Sequence, residues 1–506
     1  MVSTTRKLDA ALVALAAAIG LVHVTFPFGR EHAAVAYAGR EWLLHGTAPY
    51  SGSFVQEGPG LVLLSGICAV VGHGSAVPLR LLSLLAVLVT GILAPYVVMG
   101  EGERRKVPAR GAAALAASLF AHGYFDYWDS ARGGTFVAVA IVGALALSRS
   151  SRTSWLLAAG VLTAFGVLVR PTAWVLAPIV LAAVLARGPR APRVGAFVLG
   201  AGATVGLFAL ALGSRGLSDA YDLLWDGRCL YLGPPRIDRA AFLFSMEDAI
   251  GAYQPHASPA LVLFMCGIGL AMHRMDTRRA LRRLLVASLG LATLGSVLLL
   301  RRYYFDFESM TAFVALVFAA LADDATTVFG KRARGAVLVL SAEAVVLFAG
   351  TSLLHDTALA TYPQRVGATV SYLFGIIDKK TYTKVFDRPE IGFFSSENEE
   401  VARFVAEHSA PDESVLVRGF EPQIYLGSHR RYTGRFFATP ALMWPGCEYR
   451  RGEWLRADAS AYTTAQPKLV VSIVALPGPD AAGTFLPLGY APVLTTPHFV
   501  VLERQR

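Results

Sequence analysis

Apolar runs of roughly 17 to 25 residues recur along this chain, separated by short arginine-rich loops. The backbone of such runs is satisfied within a bilayer only as transmembrane helices. Hydrophobic residues make up 54% of the sequence and charged residues only 16%, with a mean hydropathy of +0.50. A large apolar block is therefore dissolved in lipid, not divided among soluble domains. The net charge of +10 sits mainly in the short loops. That distribution orients a membrane protein; it is not a nucleic-acid footprint, and no nucleic-acid partner is expected.

The first run, Leu8 to Phe28, follows Arg6 and Lys7 and lacks a small-residue cleavage site. It reads as an uncleaved first span with a cytoplasmic N-terminus. Five basic loops follow. They hold Arg104, Arg105, Lys106 and Arg110; Arg149 and Arg152; and Arg187, Arg190 and Arg193. The last two hold Arg274, Arg278, Arg279, Arg282 and Arg283, then Lys331, Arg332 and Arg334. If positive loops stay inside, the turns near 120–134, 169–172, 213–258 and 301–308 lie outside. A last span at about 336–354 then sends everything after it to the periplasm or cell exterior.

Two stretches need a decision. Residues 59–72 are short and bounded by Gly58, Pro59, Gly60 and Gly72, so they read as a re-entrant or membrane-dipping segment. That gives about eleven crossings; if the segment crosses, the count changes by one and a basic loop moves outside. Residues 155–186 are broken by Arg170-Pro171 and read as two short helices turning at the outer face. The expected fold is thus a polytopic α-helical membrane protein over 1–354, a linker over 355–390, and an extracytoplasmic α/β domain over 391–506. Abundant Ala, Gly and Arg suit a high-GC bacterium, and the expected location is its inner (plasma) membrane.

In the C-terminal domain, residues 396–408 put Val401, Phe404 and Val405 on one face of a helix started by a capping serine. Ser414–Val417, Lys468–Ala475 and His498–Glu503 read as strands. The domain carries no glycine-rich phosphate loop, metal-ligand cluster or nucleophile motif, so it reads as a recognition or structural domain. Cys68 and Cys266 fall in apolar runs as small core residues, while Cys229 and Cys447 both face the outer compartment, where a disulfide is permitted.

Chemistry is best sought at the outer ends of the spans, where a charge is costly. The first outer loop, 29–58, opens Gly29-Arg30-Glu31-His32 and continues through Ala33, Val35, Ala36, Tyr37 and Trp42, an interfacial helix pattern. Glu31 stands where the first span emerges. It reads either as a general base toward a hydroxyl or as a partner of Arg30 or helix cap. Glu31, His32, Asp126 and Asp129 offer oxygen-rich ligands for a divalent cation, but no spacing enforces a site. His32, His45, His122 and His256 are scattered, which disfavours zinc. No cofactor is expected, and metal dependence stays open. Asp306 and Glu308 at a late outer turn either face a water-filled cavity or are solvated end charges.

The order of these residues resembles polyprenyl-phosphate-dependent membrane glycosyltransferases of the GT-C fold (family 39-like). That group includes protein O-mannosyltransferases and the lipid A aminoarabinose transferase. Arg30-Glu31, then Gly46-Thr47-Ala48-Pro49-Tyr50, then Glu57-Gly58-Pro59-Gly60-Leu61 are similar to the group's opening pattern. Tyr127-Trp128, Arg170-Pro171-Thr172 and Arg302-Tyr303-Tyr304-Phe305 resemble its outer turns. Val401–His408, Val415–Tyr425 and Arg430-Arg431-Tyr432 resemble its extracytoplasmic domain.

The resemblance implies transfer of a sugar from a polyprenyl-phosphate donor to a lipid, glycan or protein acceptor. In it, Glu31 is the base and Arg170 the first candidate for the lipid phosphate, with Arg302 and Arg132 behind it. Tyr50, Tyr127 and Trp128 shape the sugar pocket, and Asp126 and Asp129 are secondary acids. Snorkelling and interfacial belts are the competing readings for these arginines and aromatics.

The sequence also departs from the group. Glu31 replaces the usual Asp, Glu57 stands where a phosphate-binding Lys is usual, and Gly133-Gly134 replaces a polar residue. Two other classes therefore stay open: a catalytically inactive relative that binds lipid-linked sugar, and a lipid or glycan transporter. A transporter would be expected to show duplicated halves or charges deep within spans, and the sequence shows neither.

Overall fold

The computed structural model describes residues 2–104, 106–124, 127, 131–186, 190–224, 277–296, 308–354, 358–389, 392–439, 442, 448–474 and 484–505. The chain forms two compact units, each assembled from separate stretches. Met1–Val24, Arg80–Ala211 and Arg236–Pro363 make the first; Thr25–Leu79, Leu212–Pro235 and Gln364–Arg506 make the second.

The first unit is helical. Helix Ala109–Ser118 is rich in alanine and almost entirely buried, because small side chains let neighbouring helices approach closely. A Cβ on Gly91 would lie 2.2 Å from the Ala114 Cα, and the Ser118 hydroxyl donates to the Ala16 carbonyl at 2.7 Å. Among the described residues, four helices are long and apolar enough to cross a membrane: Thr4–Val24, Val77–Val98, Ala191–Leu224 and Glu308–Val328. The break expected within 155–186 is present. Helix Thr153–Val169 ends at Arg170, whose extended backbone (φ −139°, ψ 107°) is what a following proline favours. A short 3₁₀ turn, Pro171–Leu176, then leads into helix Ala177–Leu185.

The second unit holds a four-stranded sheet of order β1-β2-β4-β3, with β1 Val415–Arg418, β2 Leu469–Ile473, β3 Tyr490–Thr495 and β4 Phe499–Arg504. β1 and β2 are parallel, and the other pairs are antiparallel. β1 is buried throughout and β2 nearly so, consistent with the apolar runs Val415-Leu416-Val417 and Leu469-Val470-Val471 that open them. β3 and helix Glu448–Ala465 add to the elements read from sequence. The expected capping serine is not the cap. Helix Ser395–His408 begins after Phe394 with no side-chain cap, and Asp387 instead accepts from the Ser396 amide and hydroxyl, both at 3.0 Å.

Residues 29–58, expected to form the first outer loop, belong to this unit. Helix Arg30–His45 is buried from His32 through Glu41, so its apolar residues pack inside the protein, and the interfacial-helix reading fits only its exposed end at Leu43 and Leu44. It crosses helix Pro59–Val71 at Gly39 and Gly66, where a Cβ on Gly39 would meet the Val62 carbonyl at 2.1 Å and the Gly66 Cα at 2.6 Å. Tyr37 stacks on Tyr425 at 4.7 Å and accepts from the Tyr432 amide at 2.9 Å.

Candidate functional site

Glu31 lies half-buried in the first turn of helix Arg30–His45, where the helix dipole favours a carboxylate. Its neighbour Arg30 is held by residues from the C-terminal part of the same unit. The Arg30 Nε donates to Glu421 Oε1 at 2.7 Å, and its Nη2 lies 2.5 Å from the same oxygen. Arg30 also donates to the Gly392 carbonyl and lies over the Phe393 ring. Glu421 has no exposed surface; its second oxygen accepts from Asn398 at 2.9 Å and Gln423 at 2.6 Å. Burial pushes its carboxyl up to about 7 against the opposing pull of Arg30.

Further along the helix, Arg40 donates to the Arg430 carbonyl at 2.7 Å and the Tyr425 carbonyl at 3.1 Å. Buried Glu41 pairs with Arg40 at 3.1 Å and Arg431 at 3.3 Å. The helix carrying Glu31 is thus pinned at its start and middle by charge-assisted bonds. Tyr50 is wholly buried in a tight turn with φ 71°, and its hydroxyl donates to the Glu57 carbonyl at 2.8 Å. The structure gives Tyr50 a turn-fixing place in the core. Glu57 is buried in the same turn.

The first unit brings together other predicted residues. Arg170, at its helix break, donates to Ser309 Oγ at 3.0 Å. Beside it, Glu308 accepts from the backbone amides of Ala131 at 2.6 Å and Gly134 at 2.8 Å, at the start of helix Gly134–Leu147. Arg170 and Arg132 both act electrostatically on Glu308, and all three are buried. Glu308 is therefore no solvated end charge. Its backbone fits only because residue 134 is glycine: a Cβ there would meet the Glu308 carbonyl carbon and the Ser309 amide, each at 2.6 Å. The glycine that departs from the family pattern thus has a local packing reason. Two guanidiniums and one carboxylate thus share one buried cluster. Tyr127 is buried nearby in sequence, and its carbonyl accepts from Arg80 at 2.7 Å.

Sequence reasoning passed over Arg80 and Glu421. Arg80 carried a signal, a lone arginine four residues into the apolar run Val77–Val98. Glu421 carried none. Asp126, Trp128, Asp129, Arg302 and Asp306 lie outside the described residues, as do Cys229, Cys266 and Cys447. Among the described residues no group of three or more His, Cys, Asp or Glu side chains forms a metal site.

No protein-family model and no curated protein matches the sequence. Solved structures do match. One is a crystal structure of ArnT from Cupriavidus metallidurans bound to undecaprenyl phosphate, with a TM-score of 0.57 and 15% identity over 97% of each chain. Another is the same protein in the apo state, with a TM-score of 0.54 and 14% identity, covering 99% of this chain and 98% of that one. At this level of identity the likeness speaks for architecture, and the chain has the fold of ArnT over nearly its whole length.

Proposed function

We propose that this chain is an integral membrane glycosyltransferase that moves one sugar from a polyprenyl-phosphate donor to a lipid, glycan or protein acceptor on the outer face, with inversion. The carrying observation is the full-length likeness to ArnT, which was solved with undecaprenyl phosphate bound. ArnT belongs to the transferase group that the sequence motifs resemble. In this reading Glu31 takes the proton of the acceptor hydroxyl as its oxygen attacks the anomeric carbon, and the lipid phosphate departs from the opposite face. Arg170, seated on Ser309, stabilises the charge that develops on that phosphate, with Arg132 behind it and Arg302 as a further cation. The sugar and the acceptor are set by contacts that the motifs do not specify.

The test is transfer by the purified protein, offered radiolabelled polyprenyl-phosphate sugars and a membrane extract of its host. Glu31→Gln is expected to lower transfer about a thousandfold with folding retained, the scale of a general base. Transfer unaffected by that change would remove Glu31 from the reading.

A second reading is favoured by Glu57, an acid where relatives carry a phosphate-binding lysine, here buried in the Tyr50 turn. In it the protein binds lipid-linked sugar and transfers nothing. Saturable binding of one such lipid by a wild-type protein without transfer activity would select it.

A further inference from the structure

The second unit holds a cavity of about 460 Å³ that the transfer reading leaves unused; small-ligand sites have this size. Its lining combines two chemistries. Phe28 and Tyr382 supply aromatic surface, and Asn398 and Gln423 supply amides. Both amides direct their NH₂ groups to Glu421, and both carbonyl oxygens have no hydrogen-bond partner among the described residues. Such acceptors are matched by hydroxyl donors. Among the described residues, the one Lys or Arg lining the cavity is Lys379, ion-paired at 2.5 Å with Glu399, which also lines it. One cation and one anion cancel, and among the described lining residues His73 is the remaining side chain that can carry positive charge. Aromatic surface, amide acceptors and balanced charge suit the two characters of a neutral sugar ring, C–H on its faces and O–H on its rim.

Position adds a second argument. Phe28 lies three residues before Glu31, and three extended residues span at most about 11 Å. Glu421, which holds both amides, also holds Arg30. The cavity wall and the start of the Glu31 helix are therefore one hydrogen-bonded piece. We propose that this cavity binds a neutral hexose-like ring of the acceptor, next to the hydroxyl that Glu31 activates. Its acceptor role rests on the transferase reading; binding of the ring does not.

The experiment uses the full chain in a detergent without a sugar headgroup. Methyl α-glucoside, methyl α-mannoside and methyl α-galactoside are titrated by saturation-transfer NMR, with glucose 6-phosphate as the charged control. Val77 lines the cavity and is exposed, so Val77→Trp obstructs it without filling a core. Ser75→Trp, also exposed and lining, is the second obstruction. The expected result is saturable binding of at least one neutral glycoside, weakened tenfold or more by both substitutions. No saturable binding, tighter binding of the phosphate, or binding indifferent to both tryptophans would overturn the site. Transfer activity without such binding removes the subsite and leaves the transferase reading standing; obstructable binding without transfer does the reverse.

Discussion

Arg30 and Glu421 meet where the carboxylate has no exposed surface, so a proton on Glu421 changes how firmly the first turn of the Glu31 helix is held. A charge-assisted bond is roughly twice as strong as a neutral one. Burial has pushed the Glu421 carboxyl up to about 7, so it is increasingly protonated, and its hold on Arg30 weakens, as pH falls through about 7. Transfer is therefore expected to fall over that interval in the wild type. Glu421→Gln fixes the neutral state: its kcat should be lower by about tenfold at pH 8, one broken charge-assisted bond's worth, with the KM for donor lipid unchanged and no bend near 7. Glu421→Asp should recover part of the loss. A bend near 7 that persists unchanged in Glu421→Gln would mean that Glu421 only supports the fold. None of this was legible in sequence. Glu31 is the obvious local partner for Arg30, whereas Glu421 lies 391 residues away. Composition likewise reveals a carboxylate at 308 but not that two backbone amides and two arginines surround it.

Elements were more readable than their partners. The Arg170-Pro171 break, helix Ser395–His408 and strands β1, β2 and β4 follow from local pattern, because proline geometry and apolar periodicity act within a few residues. β3 was missed because Pro492 and an exposed edge blur its alternation. The burial of helix Arg30–His45 was missed for a different reason: an alanine-rich helix flanked by aromatics looks the same whether it lies on lipid or under a protein domain. What decides is Gly39, whose missing side chain admits the Pro59–Val71 helix. Gly39→Ala would press a Cβ onto the Val62 carbonyl, which cannot swing away as a side chain can. The expected cost is about 1–3 kcal/mol, read as a lower thermal midpoint in detergent. Gly367→Ala, on a helix with open space around it, is the control and should be neutral or slightly stabilising. Equal behaviour of the two would show that the crossing does not depend on close approach.

At the scale of the molecule, charge and hydropathy predict a direction of threading. The positive loops argue that Arg506 ends outside and that the loops at Lys106, Arg193 and Lys331 lie inside. Alkaline phosphatase is active only when exported, so its fusion after Arg506 should be active and fusions after Arg193 and Lys331 inactive. The fusion after Lys106 decides the one ambiguous segment. Helix Pro59–Val71 has 13 residues, about 20 Å at 1.5 Å per residue, against a hydrocarbon core of about 30 Å. Pro59, Gly60, Leu61 and Val62 at its start are buried, and Gly39 and Gly66 lock it to the helix that carries Glu31. A segment that is short, buried at its start and fastened to the helix before it is expected to return to the side from which it came. An inactive fusion after Lys106 is therefore expected. An active one would mean that Pro59–Val71 crosses the membrane, placing Arg104, Lys106 and Arg110 outside against the rule that orients every other loop.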